Sequence, residues 1–438
     1  MQAIRVGLIG FGTVGSGLAE TLRLQRDRLT RRVGRPIRLV RVADLRCPAL
    51  PPGFEDVELT RDARAVIAAP DIDIVAELIG GIEPAKSFLL AAIAAGKHVV
   101  TANKALLAQH GQEIFTAAAE AGVEVGFEGS VGGGIPVIKA LKEGLVANRI
   151  LGIMGIMNGT ANYILTRMTD EGLPFAEVLR EAQRLGYAEA DPTYDIEGID
   201  TAHKLVILAT MGYGSPVRLE DVATEGISRI EPMDIEFARE FGYRIKLLAI
   251  SRHHGDHIEL RVHPTMVPQR HLLANINGAF NAIHFTGDTV GEVLFHGLGA
   301  GKMPTGSAVA ADVADIARNI ISGAIGRVPS LAYRMEHLTP RRITPLDELH
   351  CPWYLRISAE DRPGVLAAIA GVFGRHGISL ASVIQKGQTQ AGPVAVVLRS
   401  HTAQESAMRQ ALTEIDALPV VSGPTVKIRI LDEGDGAV

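Results

Sequence analysis

Between Ala182 and Lys204 the sequence sets five carboxylates (Glu189, Asp191, Asp195, Glu197 and Asp200) on a stretch broken by Gly186, Pro192 and Gly198, and closes it with one lysine. Apolar spacing of helical period begins near Thr201, so the acids lie on a loop before a helix. Asp200 falls at the helix start, where a carboxylate suits the positive end of the dipole, and Lys204 follows one turn later on the same face. Such a set can hold an ammonium or hydroxyl group and move a proton. The same spacing also suits a solvated i,i+4 ion pair beside a surface loop. A calcium loop is a third reading, from the acids at Asp191, Asp195 and Glu197, but Gly198 comes two positions late for an EF-hand and no bidentate glutamate follows.

A second chemical signal opens the chain. Residues 4–9 read as a buried strand and run straight into Gly10-Phe11-Gly12-Thr13-Val14-Gly15 and then a helix. This is a dinucleotide fingerprint in its required context: Gly10 permits the tight turn, Gly12 lets backbone approach a pyrophosphate, and Gly15 lets helix and strand pack closely. A strand over 37–43 ends at Asp44, where an acid binds ribose hydroxyls and favours NAD. Arg41 and Arg46 flank it and can hold a 2′-phosphate, so both NAD and NADP stay open.

Strand and helix patterns alternate onward: strand 72–78, helix 84–95, strand 98–101, helix 106–121, strand 123–128. The alternation predicts an α/β fold with an N-terminal Rossmann-type doubly wound parallel sheet, whose carboxyl edge makes Thr101 to Lys104 and Glu128 to Val131 cleft residues. The expected domains are 1–135 for the dinucleotide, completed by about 300–345; 136–300, an α+β substrate and dimerisation domain; and 350–438. In the middle domain the pattern gives a helix from Pro136 to Leu145, a strand over 150–157, helices to about Thr169 and over 175–185, and strands over 243–252 and 257–264. His253, His254 and His257 cluster in what reads as a hairpin turn, where metal binding is one reading and a solvated turn the favoured one. Gly297 to Gly301 form a second glycine-rich turn before a helix ending near Ile321. After an Arg- and Pro-containing linker over 327–350, strand, helix, strand, strand, helix, strand follow over 353–358, 364–376, 378–386, 393–400, 403–414 and 418–430, a ferredoxin-like module. Its separate pattern predicts a regulatory and assembly unit that the chemistry does not need.

The 438 residues are 47% hydrophobic with a net charge of −5. That balance describes a globular protein of several domains and implies no general affinity for nucleic acid. Only two cysteines occur, Cys47 and Cys351, without ligand spacing, so neither a disulfide framework nor a zinc site is indicated. No apolar stretch reaches membrane-spanning length and no signal sequence opens the chain, so the expected compartment is the cytoplasm.

The run Ala182, Gly186, Tyr187, Ala188, Asp191, Pro192, Asp195, Ile196, Gly198, Asp200 and Lys204 resembles the signature of homoserine dehydrogenases. Thr101 to Lys104, Phe127 to Gly134, Asn158-Gly159-Thr160 and Gly299-Ala300-Gly301 are similar to that family's cofactor, cation and catalytic segments. The tail, with Asp361-Arg362-Pro363-Gly364-Val365-Leu366 and Gly377-Ile378-Ser379, resembles an ACT domain. With no kinase-sized segment before Met1, the resemblance is to the single-activity form rather than the aspartokinase fusion.

The resemblance implies reversible hydride transfer between a nicotinamide nucleotide, NADP or NAD, and C4 of L-aspartate 4-semialdehyde, giving L-homoserine for threonine, methionine and isoleucine synthesis. It assigns Lys204 as general acid/base, Lys104 as a cleft lysine near nicotinamide and substrate, and Asp195 as the group orienting a lysine. Glu189 and Asp200 would bind substrate. The cofactor set is Gly10, Phe11, Gly12, Thr13, Val14, Gly15, Asp44, Arg46, Thr101, Lys104, Gly186, Gly299 and Gly301. A monovalent cation, Na⁺ or K⁺, would sit at Glu128, Val131, Gly133 and Ile135, held by one carboxylate and several carbonyls. The ACT tail implies an amino-acid effector such as threonine, and the whole chain a homodimer or homotetramer. Two other classes would differ at these residues: a different amino-acid or hydroxyacid dehydrogenase would lack the Glu189 to Lys204 loop, and a non-catalytic nucleotide and amino-acid sensor would lack Lys204 or Gly12.

Overall fold

The computed structural model describes residues 2–385 and 393–432. The expected end of one strand at residue 386, and the parts of the expected tail domain at 386–392 and 433–438, lie outside the described residues. The chain groups into two compact units, Met1–Gly159 with Asp200–Val222 and Ala279–Arg341, and Thr160–Ile199 with Ala223–Gly278 and Arg342–Val438. Both units therefore draw on the middle segment that the sequence suggests as one domain.

In the first unit six parallel strands run in the order β3-β2-β1-β4-β5-β6: β1 (Ile4–Ile9), β2 (Ile37–Ala43), β3 (Glu58–Thr60), β4 (Ile74–Glu77), β5 (His98–Thr101) and β6 (Val125–Gly126). The order reverses between β1 and its neighbours, which creates a crevice at the carboxyl edge. Helices α1 (Thr13–Leu24), α2 (Ala85–Ala94) and α3 (Lys104–Ala121) make the crossovers. Expected and observed bounds agree closely for β1, β2 and β5, and the central strands β1 and β4 are mostly apolar runs buried on both faces, as parallel strands covered by helices are. β6 is shorter than the expected 123–128: after Phe127 the chain turns into a 3₁₀ segment, Glu128–Ser130, so that Glu128 can reach backbone amides ten residues on.

The expected helix over 136–145 is α-helical only over α4 (Val137–Lys139) and widens into a π turn over Ala140–Gly144. β7 (Ile150–Ile156) then pairs antiparallel with β8 (Phe280–Gly287), which pairs with β9 (Gly291–Leu298). Between them in sequence lies α5 (Ile199–Tyr213), whose residues from Asp200 onward belong to this unit. α6 (Lys302–Ser322) lies against α1: a Cβ on Gly17 would stand 2.0 Å from the Lys302 carbonyl oxygen, and one on Gly306 2.4 Å from the Gly17 carbonyl carbon. Two glycines thus let these helices touch backbone to backbone. The core they close contains Leu8, Leu18, Ile74, Val100, Val309 and Val313.

The second unit is built on a long hairpin, Tyr243–His253 with His257–Pro268, and on a helix, Pro232–Glu240, that the sequence pattern did not disclose. The tail has the expected ferredoxin-like order, with helices Val365–Arg375 and Glu405–Asp416 over a core of Trp353, Ile357, Phe373, Leu398 and Met408. It is not a separate body, however. Its last strand, Val426–Ile430, pairs in parallel with the hairpin, Thr265 opposite Arg429 and Met266 opposite Ile430. Fully buried Asp234 accepts bonds from Tyr354 Oη (2.9 Å) and Arg356 Nε (2.7 Å). Buried Arg429 pairs with Glu405 (2.8 Å) and Glu225 (2.7 Å) and lies over the Trp353 ring. Such networks are costly to break from one side, because each leaves a buried charge uncompensated.

Candidate active site

The glycine turn is built as its sequence suggests. Gly10 has φ +98°, and a Cβ there would stand 2.8 Å from the Leu78 carbonyl. Gly15 leaves no room for a Cβ beside the Gly10 oxygen, whereas a Cβ on Gly12 would meet nothing within 4 Å. The backbone is open at the N-terminus of α1, which carries no acidic residue in its first turn and no side-chain cap. These features fit a pyrophosphate on the amides. Asp44 has a definite job: its oxygens accept the amide hydrogens of Phe11 (2.6 Å), Arg46 (2.7 Å) and Cys47 (2.7 Å). Burial would raise its carboxyl, but those three amides hold it below the ordinary range. The loop after β2 is thereby pinned to the glycine turn. Arg41 is engaged elsewhere, on Glu58 and the Ala65 carbonyl, which leaves Arg46, exposed beside Asp44, as the arginine at the rim.

The two lysines singled out by sequence meet on one carboxylate. Lys204 Nζ lies 2.6 Å from Asp200 Oδ2 and 2.5 Å from the Met157 carbonyl; Lys104 Nζ lies 3.1 Å from Asp200 Oδ1. Asp200 is 6% exposed and Lys204 7%, so the solvated-pair reading does not describe them. Burial pushes the Asp200 carboxyl upward, but Lys204 and Lys104, with the hydrogen bonds from Lys204 and Asn158, outweigh it and hold it well below the usual carboxylate range. Asn158 Nδ2 donates to Asp200 Oδ2 at 2.9 Å, a contact that the sequence reading did not assign. His203 is buried next to the cluster, and burial lowers its imidazole.

Glu128 is buried, and each of its oxygens accepts an amide hydrogen at 2.8 Å, from Ile138 and Lys139 at the start of α4. Its carboxyl is raised by burial. Asp312, on α6, accepts the Glu128 amide hydrogen, and burial followed by the Glu128 charge pushes its carboxyl up to about 8. Val131 is buried; Gly132 and Gly133 take φ of +72° and +56°, and the Ile135 carbonyl accepts the Val137 amide at 2.8 Å. A cation here would find a turn whose carbonyls glycine leaves free to converge, with the Glu128 charge behind it, rather than a carboxylate with open oxygens. The second glycine turn packs on this one, since a Cβ on Gly133 would stand 2.5 Å from Gly299, and Gly301 has φ +130°.

Glu189, Asp195 and Gly186 belong to the second unit. Gly186 takes φ +78°, Glu189 is exposed, and its backbone carbonyl accepts Gln183 Nε2 at 3.1 Å. Asp195 is partly buried on a short helix, Thr193–Ile196. The histidines at the hairpin turn bond acids, His254 to Glu259 and His257 to Asp256. Among the described residues no group of three or more His, Cys, Asp or Glu is placed to hold a metal ion.

Comparison with known proteins agrees over the whole length. The family model described as homoserine dehydrogenase matches residues 136–314, that of its NAD binding domain 10–128, and that of the ACT domain 353–419. A homoserine dehydrogenase of Pseudomonas aeruginosa is 47% identical over 432 residues, 98% of this chain and 99% of its own. This chain belongs to the homoserine dehydrogenase family. The crystal structure of a homoserine dehydrogenase from Thiobacillus denitrificans superposes with a TM-score of 0.93 at 49% identity, covering 99% of each chain. A hyperthermophilic archaeal homoserine dehydrogenase in complex with NADPH matches 71% of this chain and 96% of its own, with a TM-score of 0.61 at 26% identity. As a homoserine dehydrogenase the protein is an NAD(P)-dependent oxidoreductase of amino-acid biosynthesis that acts on homoserine and aspartate semialdehyde, and its tail is an ACT domain. No helix among the described residues is long and apolar enough to cross a membrane.

Proposed function

We propose that Lys204 is the proton donor and acceptor at the substrate oxygen and that Asp200 holds its ammonium in place. The observation that carries this reading is the buried contact of Lys204 with Asp200 at 2.6 Å, with Lys104 on the opposite carboxylate oxygen. When bound, the nicotinamide nucleotide gives hydride to, or takes it from, the substrate carbon. In the reducing direction the substrate oxygen gains negative charge, and Lys204 delivers a proton to it; in the oxidising direction Lys204 removes that proton. Lys104 adds a second positive charge where the oxygen becomes anionic. Asn158, by bonding Asp200, keeps the carboxylate turned towards both lysines. On the family resemblance Glu189 binds the substrate ammonium and Asp195 orients a lysine.

At the carboxyl edge of the parallel sheet, the amides of Gly10 to Gly15 would hold the nucleotide's pyrophosphate and Asp44 would face its ribose. With Arg41 bonded to Glu58 and Arg46 exposed at the rim, the arrangement favours NADP, although NAD stays a substrate. Glu128 and the carbonyls of Val131, Gly133 and Ile135 would hold a monovalent cation, whose positive charge would offset the buried Glu128 carboxylate. The ACT domain takes an amino-acid effector, threonine, at the loop Asp361 to Gly364, and the protein works as a homodimer or homotetramer in the cytoplasm. Initial rates of homoserine oxidation with NAD and with NADP, with and without threonine, test the reading. Saturable oxidation by both, faster with NADP at low concentration and slowed by threonine, is expected; no homoserine-dependent reduction of either nucleotide would refute it.

A further inference from the structure

Glu77 ends β4 at the carboxyl edge of the parallel sheet and is fully buried. Every hydrogen bond described for it comes from a neutral donor. Thr101 Oγ1 donates to Oε2 (2.8 Å), the Ile79 amide donates to Oε1 (2.9 Å), and the Gly80 amide also donates to the carboxylate. A carboxylate so far from water is expensive unless its lone pairs are filled. Burial accordingly raises this carboxyl, against the pull of those three donors.

The three donors belong to two different loops. Ile79 and Gly80 open the loop after β4, which packs on the glycine turn: the Leu78 amide donates to the Ile9 carbonyl at 2.8 Å, and a Cβ on Gly10 would stand 2.7 Å from the Ile79 side chain. Thr101 ends β5, and its hydroxyl oxygen accepts the Asn103 amide at 3.0 Å. Asn103 closes the arrangement: its Nδ2 donates to the Gly81 carbonyl (2.6 Å), and its Oδ1 accepts the Leu106 amide (3.2 Å), capping the helix that begins with Lys104. Lys104 in turn meets Asp200. A path of hydrogen bonds and adjoining backbone therefore runs from the end of β1, where the glycine turn begins, through Glu77 to the lysine pair, all within the first unit.

From this geometry we infer that Glu77 is a positioning residue, the buried acceptor that sets the 78–81 loop and the Thr101 to Lys104 turn against each other so that nucleotide and Lys104 are held in register. Only an acceptor-only side chain suits the place. A glutamine would turn an NH₂ group towards Thr101 Oγ1 or towards the Ile79 and Gly80 amides, and one donor on either side would lose its partner. The inference rests on the proposed course of the nucleotide along this edge.

The test is a set of variants of the full chain, Glu77→Gln, Thr101→Val and Thr101→Ser. NADPH affinity is read from its fluorescence on titration, thermal melting is measured without nucleotide, and kcat and both KM values are measured with homoserine. Small misplacements of reacting groups cost up to about a hundredfold. We expect Glu77→Gln and Thr101→Val to weaken NADPH binding and to lower kcat by about tenfold each, and the homoserine KM to move by less than about threefold; Thr101→Ser, which keeps the hydroxyl that Glu77 accepts, should lose less of both than Thr101→Val. A folded Glu77→Gln with NADPH affinity and kcat within about twofold of the parent, whatever its melting temperature, would overturn the inference and mark Glu77 as a purely structural residue. Should Glu77→Gln not fold, the Thr101 pair decides, and equal constants for Val and Ser would overturn it. If the unaltered protein bound no NADPH, the nucleotide reading itself would fall, an outcome distinct from a variant that matches its parent.

Discussion

Replacing Asp200 with asparagine removes the charge that two lysines share while keeping a side chain of the same shape. At an effective dielectric of about 20, a unit pair at the Lys204 distance is worth roughly 6 kcal/mol and one at the Lys104 distance about 5 kcal/mol, before a desolvation cost of several kcal/mol per buried ion. The net is far smaller than the gross, so the informative quantity is the cost of leaving Lys204 buried without its counter-charge, about 3–5 kcal/mol. Lys204→Met should cost less, about 2 kcal/mol, because Asp200 keeps Lys104 and Asn158. The double variant should then be more stable than the sum of the singles implies, with a coupling of about 2–4 kcal/mol. Urea unfolding at pH 7.5, followed by circular dichroism and checked against fluorescence of the one tryptophan, Trp353, measures all four corners of the cycle. The sign with pH follows from the depressed Asp200 carboxyl: its contribution is complete above about pH 4, the ordinary carboxylate value, and is lost as pH falls through the folded-state value. Additivity within about 0.5 kcal/mol would refute the claim that these groups form one unit.

Three further outcomes are expected. Arg46→Ala should lower the kcat/KM ratio of NADP to NAD by about tenfold, through loss of a charge-assisted contact to the 2′-phosphate; an unchanged ratio in initial-rate assays would place that phosphate elsewhere. Lys246, buried against the Ile276 carbonyl and the Asn162 and Asn277 side chains, is depressed to about 7 by burial, so between about pH 7 and 10 the unfolded chain binds the extra proton and stability rises with pH. Lys246→Met should flatten that part of the stability profile in denaturant titrations, and an unaltered slope would contradict the assignment. A chain cut after Arg341 should lose solubility or the folding of its second unit, because Asp234 and Glu225 would be left without Tyr354, Arg356 and Arg429 and the hairpin edge would be bare; a soluble, cooperatively melting product would show that the tail is detachable after all.

The sequence was most legible where local pattern and function coincide. The strand, glycine turn and helix at residues 4–24 could be read because each glycine answers a local steric demand, and the run from Gly186 to Lys204 because its loop is irregular yet rich in fixed residue types. Legibility failed where long-range pairing decides. Phe280–Gly287 carries polar residues in both phases and becomes a strand between its partners Ile150–Ile156 and Gly291–Leu298. Asn158 and Met157 could not be tied to Asp200 and Lys204 from more than forty residues away. Glu77 did leave a signal, a lone carboxylate ending an apolar strand, which in such a place asks what donors surround it. The tail's own strand and helix pattern suggested independence, but the ion pairs of Arg356 and Arg429 with earlier residues are invisible to any local reading.

The central claim is that Lys204 serves the proton step and not nucleotide binding. Lys204→Met, assayed for homoserine oxidation under saturating nucleotide and titrated with NADPH, separates the two. The account predicts a kcat lower by about 10²- to 10⁴-fold with NADPH affinity unchanged within about threefold. A variant that kept more than about a tenth of the parent's kcat, or lost NADPH affinity in proportion to its kcat, would contradict it.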